Sequence, residues 1–324
     1  MNRAAPFLAL TAVVALLFAL SLTVGKVWVP LSAWGAHADP RWAIVFELRL
    51  PRAILAVLIG AALGLSGAAM QGYTRNPLAD PGVLGVSGMA ALGAVIALYF
   101  GLTAQGYWIL GAGGVAGALA GVAALLALAG REASVTAFVL AGVILQSVAG
   151  ALVALALNLA PNPWATQEIL DWLMGGLTDR SFAEVQLAAP LIFAGGALLF
   201  SLRRALDALS LGEASAASLG VDLRRTQMLL ALGAALATGA SVAVSGVVGF
   251  VGLVAPHAAR LLFGAQPGGL LAPSALAGAM LVLGADIAVR LTPGAEEVKL
   301  GVAMALLGGP VFLALLLSLR RRIV

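Results

Sequence analysis

Long apolar runs, interrupted by short polar or glycine- and proline-rich stretches, dominate this sequence. A helix rises 1.5 Å per residue, so crossing a hydrocarbon core of about 30 Å takes about 20 apolar residues. Runs of that length lie near 4–26, 49–72, 107–129, 135–160, 184–202, 223–245, 271–291 and 299–318, with shorter ones near 86–103 and 249–263. The pattern predicts an all-α polytopic membrane protein with about ten transmembrane helices, in a single domain spanning 1–324. The first run follows Arg3, and Ala36-His37-Ala38 downstream has the form of a cleavage site. A signal-peptide core is only about 7–15 residues and is cut close by. The longer run here reads as a retained first span.

Composition agrees with the bilayer as solvent. The chain is 62% hydrophobic and 10% charged, against about 25% charged in soluble domains. There are no cysteines, which excludes a disulfide framework, Fe–S clusters and a thiol nucleophile. The two histidines, His37 and His257, lie far apart; catalytic zinc wants three protein ligands, so no metal site is expected. A phosphate-binding loop needs Gly-x-x-x-x-Gly-Lys. Lys26 follows Gly25, but Leu20 stands where the first glycine belongs, so no nucleotide hydrolysis is expected from this chain.

The net charge of +4 reads as a topology signal rather than as nucleic-acid binding, because the basic residues fall between spans. With the N-terminus inside, Arg3, Arg75, Arg131, Arg203, Arg204, Arg224, Arg225, Arg260, Arg320, Arg321 and Arg322 are cytoplasmic, eleven of the eighteen. Lys26, Arg41, Arg49, Arg52, Arg180, Arg290 and Lys299 fall outside. Both termini are then cytoplasmic. Tyr99, Phe100, Tyr107 and Trp108 bracket an outer turn as an interfacial aromatic belt does.

Several polar stretches carry more detail. Residues 27–48 form an outer loop with Trp28, Trp34 and Trp42, and 161–183 suggest an interfacial helix ending at Gly175-Gly176. In the inner loop 203–225, Ser210 and Glu213 have capping-box spacing. Gly220 suits a left-handed helix end and Asp222 suits a helix start. Spacing alone leaves this loop equally a connector or a docking element.

The stretch RNPLADPGVLGVSG, Arg75 to Gly88, breaks the apolar pattern. Pro77 and Pro81 are expected to stop the second helix, and Gly82 and Gly85 to allow unusual backbone. Irregular backbone at membrane depth is tolerated only against protein or a wet cavity. Asn76, Pro77, Asp80, Pro81, Gly82 and Gly85 are therefore expected to line or gate the inner end of a pathway. The pattern GVxGxxG recurs at Gly82–Gly88 and Gly246–Gly252, each before a short span, as in an inverted repeat with interrupted helices.

Asp286 and Arg290, four apart, read as a snorkelling ion pair. No chain of acidic and histidine residues crosses the spans, which argues against a proton-coupled carrier. Small-residue pairs at Gly60–Gly64, Gly113–Gly117 and Gly117–Gly121 suit close helix packing.

The segment LRLPRAILAVLIGAALGLSGAAMQGYTRNPLADPGVLGVSGMAALGAV (Leu48–Val95) resembles the permease subunit of binding-protein-dependent type II ABC importers for ferric siderophores, haem and cobalamin. The resemblance continues through AGVILQSVAGAL (Ala141–Leu152), DWLMGGL (Asp171–Leu177), LGEASAASLGVD (Leu211–Asp222), GFVGLVAPHAARLL (Gly249–Leu262), ADIAVR (Ala285–Arg290) and GVAMALLGGPVFLALL (Gly301–Leu316). Where that family usually reads Glu-Leu-Pro-Val-Gly, this chain has Glu297-Val-Lys-Leu-Gly301, with Lys299 replacing proline.

The resemblance implies a homodimer in the bacterial inner membrane with the pathway on its two-fold axis. Two copies of a separate ATPase would carry ATP and Mg on the cytoplasmic side, and a periplasmic binding protein would deliver solute. The family's coupling element maps within about 205–222, onto Leu211, Gly212, Glu213, Ala214, Ser215, Ala216, Ala217, Ser218, Leu219 and Gly220. Its binding-protein-docking arginines map onto Arg49, Arg52 and Arg290, and Trp172, Met174 and Gly175, within the matching DWLMGGL stretch, are expected at the pathway or its gate. The expected solute is haem or a ferric siderophore, with cobalamin as the alternative. An ion-coupled secondary carrier is the reading from another class.

Overall fold

The computed structural model describes residues 4–106, 108–130, 134–294 and 297–320. Arg3, Tyr107, Arg131, Arg321 and Arg322 lie outside the described residues. The described chain is helical, in the order α1 (Ala4–Thr23), α2 (Arg41–Thr74), α3 (Val86–Tyr99), α4 (Trp108–Ala129), α5 (Val135–Asn158), α6 (Pro163–Leu173) and α7 (Phe182–Ser201). Then come α8 (Arg203–Leu209), α9 (Glu213–Ser218), α10 (Leu223–Ser245), α11 (Val251–Phe263), α12 (Pro267–Arg290) and α13 (Leu300–Arg320). Seven of these are long and apolar enough to cross a membrane: α1, α2, α4, α5, α7, α10 and α12. Three shorter apolar helices, α3, α11 and α13, complete the expected set of about ten.

Burial sorts the spans into a centre and a rim. About three quarters of α2 and α10 and two thirds of α12 are buried, against 11% of α1. A helix apolar on all sides belongs either in a core or against lipid; which of the two is decided by side-chain size. The central helices carry glycine where they touch. A Cβ on Gly60 or Gly64 of α2 would collide with the backbone of Gly278 or Ser274 of α12. Likewise a Cβ on Gly113 or Gly117 of α4 would strike the backbone of Gly93 or Met89 of α3. The small-residue pairs of the sequence are thus the contact points of two helix pairs, where lipid supplies no hydrophobic drive and close packing must.

The loops are built from recognisable caps. Asp222 accepts from Arg225 N and opens α10, and Ser134 and Asn162 cap α5 and α6 in the same way. Gly220 has φ +85°, as a residue just past a helix end requires. The expected capping box at Ser210 and Glu213 is not formed. Gly212, with φ +102°, precedes α9 instead, and the Ser210 hydroxyl donates to the Asp207 carbonyl. A capping box does form at Ser181 and Glu184, opening α7. His37 is exposed and packs on the Trp42 ring, while His257 sits half-buried within α11.

Candidate translocation site and its two ends

Two of the central connections are broken helices. After α2 the chain turns at Arg75, in the left-handed region at φ 52°, so the helix stops before Pro77 is reached. Asp80 then caps a short 3-10 turn, Pro81–Leu84, by accepting from Gly82 N at 2.8 Å. Gly85, at φ +73°, starts α3 and packs on Gly142 and Leu145 of α5. Of the two glycines expected to need unusual backbone, only Gly85 does; Gly82 is not at positive φ.

The second break follows α10. Gly246 has φ +68°, residues 246–249 are non-helical, and Phe250 at φ 66° starts α11. The two breaks meet: a Cβ on Gly252 would lie 2.5 Å from Pro81 Cδ and 3.1 Å from Asp80 Oδ2. Gly67 of α2 packs on the Gly252 backbone at the same level. Gly67 is seven residues before Thr74, the end of α2, hence about 10 Å in from that helix end. The 76–85 turn therefore folds back to membrane depth, where Pro81 and Gly85 are buried while Asn76 and Pro77 stay exposed.

The second break also reaches the opposite end. Gly246 packs on the Trp172 carbonyl, and Gly175, at φ +69°, packs on Ser245 and Val247. Gly176 N donates to Ser245 O at 2.8 Å, and Gly301 N donates to Gly175 O at 3.4 Å. Trp172 is buried and Met174 is exposed beside this junction. The residues expected at the two gates thus form separate groups, and residues 246–252 touch both. The sequence signal for that bridge is the repeated GVxGxxG.

Arg49, Arg52 and Arg290 lie at the end of the bundle opposite the 76–85 turn. Presentation to a partner calls for exposed guanidinium groups, but all three residues are buried, at 6%, 9% and 4% exposure. Arg52 Nε donates to Asp286 Oδ1 at 2.9 Å and its Nη2 to Glu297 Oε2 at 2.7 Å. Arg290 pairs with the other Asp286 oxygen, and Asp286 is fully buried. The i,i+4 pair of the sequence is real, but it points inward and does not snorkel. A helix leaves its last carbonyls unpaired. Here Arg49 Nη1 donates to Leu22 O and Thr23 O at 3.0 and 2.9 Å, and Arg290 Nη1 to Ser21 O at 2.8 Å. The two arginines cap α1 from other helices. A pocket of about 210 Å³ beside them is lined by Lys26, Arg49, Arg52, Arg180, Arg290 and Glu297 among others. Burial works against the charge on Glu297, but the hydrogen bond and charge of Arg52 outweigh it and hold this carboxyl below the usual carboxylate range. Lys299, the departure from the family pattern, lies 3.3 Å from Asp171 of α6 in a largely exposed pair.

The 203–222 segment lies at the end that carries Arg75. Ala216 is buried beneath it, and Leu211 and Leu219 stand exposed at 66% and 65%. Gly212, Glu213, Ala214, Ser215, Ala217 and Ser218 complete the surface between those leucines, and Gly220 follows it. Arg75 Nη2 lies 3.8 Å from Glu213 Oε1. A cavity of about 630 Å³ opens here, lined in part by Gln71, Arg75, Asp207, Ser210, Arg260 and Gln266. Arg260 Nη2 donates to Gln71 Oε1 at 2.7 Å. Nothing in the sequence marks Asp207, Gln71 and Arg260 as a group, since they are scattered along the chain.

The chain is similar in sequence and in fold to known proteins. Residues 13–318 match the FecCD transport family. An uncharacterized ABC transporter permease, YvrB of Bacillus subtilis, is 37% identical over 99% of this chain and 95% of its own length. The vitamin B12 import system permease BtuC of Vibrio cholerae is 40% identical over 92% of this chain and 89% of that protein. A solved structure described as an inward-facing conformation of a provisionally assigned metal-chelate type ABC transporter is 28% identical. It superposes with a TM-score of 0.86 over 97% of this chain and 99% of that one.

Proposed function

The chain belongs to the FecCD transport family, the permeases of ABC importers, and we propose that it forms the translocation pathway of an ATP-driven importer of a bulky metal chelate. The observation that carries this reading is the meeting of two broken helices at membrane depth, Pro81 against Gly252. Backbone freed from helical hydrogen bonding inside a bilayer belongs against protein or a water-filled path. The sequence offers no ion relay to accompany it, so the driving force comes from a separate ATPase carrying ATP and Mg, and the chain itself is not an enzyme.

The exposed side of α5 is the surface proposed for the homodimer seam. It interleaves small or polar residues such as Ser147, Gly150 and Ala154 with large apolar ones such as Leu140, Val143 and Ile144, and a second copy packed there would close a wide pathway. In this reading the Arg75 end faces the cytoplasm, in the inner membrane, and Leu211–Gly220 docks the ATPase through its exposed leucines. The opposite end receives the periplasmic binding protein. Docking through Arg52 there requires a change of partner: Glu297, partly exposed, can yield to an incoming carboxylate, while Asp286, fully buried, stays.

Cobalamin moves ahead of haem or a ferric siderophore as the solute, because relatives named as vitamin B12 permeases share 38–40% identity over most of both chains. The test is uptake into proteoliposomes holding the permease, its ATPase and its binding protein. Cyanocobalamin, haem and a ferric siderophore are compared with and without ATP. ATP-dependent uptake of one names the solute; uptake that persists without the ATPase subunit overturns the importer reading in favour of a secondary carrier.

A further inference from the structure

If the ATPase docks on Leu211–Gly220, as proposed above, the force it applies has to leave that segment for the core. Apart from Asp222, which caps the adjoining α10 through Arg225 N, the side chains of 203–222 reach the core, among the described residues, through polar contacts at two places. One is the Arg75–Glu213 pair, 3.8 Å apart and largely exposed. The other is Asp207 of α8. Its Oδ1 accepts from Gly268 N at 2.7 Å and its Oδ2 from Gln266 Nε2 at 3.0 Å.

Those partners are the first turn of α12. Gln266, the residue before that helix, makes no side-chain cap of its own. Asp207 therefore supplies from α8 the acceptor that a helix start needs, and its negative charge suits the positive end of the helix. The approach is tight. A Cβ on Gly268 would lie 2.5 Å from both Cγ and the carbonyl of Arg203, and 2.8 Å from Asp207 Oδ2. A short side chain with both oxygens engaged leaves little slack between α8 and α12.

α12 then stays helical for 24 residues to Arg290, through Pro273 in its second turn, a length of about 36 Å. Its far end carries Asp286, which grips Arg52, and Arg290, which holds the end of α1. We propose that Asp207 is a positioning residue that fastens the coupling segment to α12, so that nucleotide-driven movement of the segment is delivered to the opposite end of the bundle. The Asp207 carboxylate is the joint, and α12 is the rod.

The chain has no cysteine, so spin labels can be attached to the purified permease, before the ATPase is added, without background from this chain. Leu291, just beyond α12, and Trp164, at the start of α6, are both well exposed, at 65% and 83%. Leu291→Cys and Trp164→Cys are introduced together, and the full permease–ATPase complex is measured without nucleotide and trapped with ATP and vanadate. The unaltered joint is expected to show a nucleotide-dependent change in the label distance. Asp207→Ala is expected to keep the ATPase subunit bound and hydrolysing while losing more than half of that change; Asp207→Asn, which still accepts from Gly268 N, keeps it. Adding Gln266→Ser to Asp207→Ala gives α12 a cap of its own and is expected not to restore the change. If Asp207→Ala does not fold, Gly268→Ala, which wedges α8 from α12 with the carboxylate in place, is read in the same way.

A distance change that survives loss of the carboxylate, or that Gln266→Ser restores, reduces Asp207 to a helix cap and overturns the proposal. Absence of any change with the joint intact overturns it too. Failure of an ATPase subunit to bind the permease at all is a failure of the importer reading instead.

Discussion

Arg52 and Asp286, 234 positions apart in sequence, meet inside the bundle with Nε 2.9 Å from Oδ1, and Asp286 is fully buried. Replacing both members of such a pair by apolar groups is often tolerated, whereas removing one leaves an uncompensated charge, at about 3–5 kcal/mol. Asp286→Ala leaves Arg290 beside Arg52 with no carboxylate of its own, and Arg52 with Glu297 alone, and is expected to lower the unfolding temperature in detergent sharply. Simultaneous charge reversal of Arg49, Arg52 and Arg290 is expected to lose folded protein before any docking can be assayed. A reversed triple variant with an unchanged melting curve would show that these arginines are not holding α1, α2 and α12 together.

Acid titrates the same cluster. Arg52 holds the Glu297 carboxyl below its ordinary range, so its folded pKa is lower than its unfolded one, about 4.3. The stabilisation is then complete above the unfolded value and is lost as pH falls through the folded value. Glu297→Gln is expected to be less stable than the parent at neutral pH, with the gap closing in acid. Melting curves from pH 7 down to about pH 3 read this directly; a gap independent of pH would contradict the pairing.

Close packing of α2 on α12 gives a different expectation. Gly60→Leu drives a side chain into the Gly278 backbone, and overpacking costs about 1–3 kcal/mol or more where backbone must move. Gly284, also on α12, has open space for 4 Å around the point where a Cβ would stand, so Gly284→Ala is expected to leave stability unchanged or slightly raised. Folded yield and thermal stability of the two variants should diverge.

Much of this architecture is legible in sequence because lipid enforces it. A span must be apolar and about 20 residues long, so most long helices can be placed within a few residues; α2 is the exception, starting at Arg41, inside the stretch expected to be an outer loop. Caps that use neighbouring residues, such as Asp222 on Arg225 N, are equally readable. What the sequence hides is the meeting of distant positions. The arginines at 49, 52 and 290 fall at one end of the bundle on sequence grounds, and i,i+4 spacing pairs Arg290 with Asp286, but nothing local marks Asp286 and Glu297 as partners of Arg52 or the end of α1 as a partner of Arg49 and Arg290, so a surface position is the natural expectation. Ser210 and Glu213 have capping-box spacing, yet Gly212 turns the chain and the Ser210 hydroxyl goes elsewhere. Asp207 has no local signature at all, since its partner Gly268 is 61 positions away.

Lys299 and Asp171 form a pair with both side chains about 40% exposed. Exposed pairs contribute about 0–1 kcal/mol and weaken with salt. Lys299→Ala is expected to cost less than about 1 kcal/mol, shrinking in high salt. Lys299→Pro, which returns the residue usual in the family, should fold normally. A large, salt-independent loss in either variant would mean that Lys299 has a further partner at the α6–α13 junction.

Disruption of α9 tests the coupling surface. Ala216 is fully buried under a six-residue helix, so Ala217→Pro breaks that helix without adding charge. It is expected to leave ATP hydrolysis by the bound ATPase largely intact while uptake per ATP falls about tenfold, equivalent to about 1.4 kcal/mol of lost linkage. Simultaneous measurement of phosphate release and solute uptake in proteoliposomes checks this. Unchanged uptake per ATP would move the docking surface elsewhere.

The long reach between Arg52 and Asp286 also bears on how the protein is made. At about 5–20 residues per second, the ribosome delivers Asp286 on the order of ten to fifty seconds after Arg52. Throughout that interval α2 sits in the bilayer with a guanidinium group that has no carboxylate, and with a glycine face at Gly60 and Gly64 that has no α12 to meet it. One of the two most buried spans of the finished molecule is therefore among the least satisfied during synthesis. A nascent chain stopped before α12 should be the form that insertion factors hold longest and membrane proteases remove first.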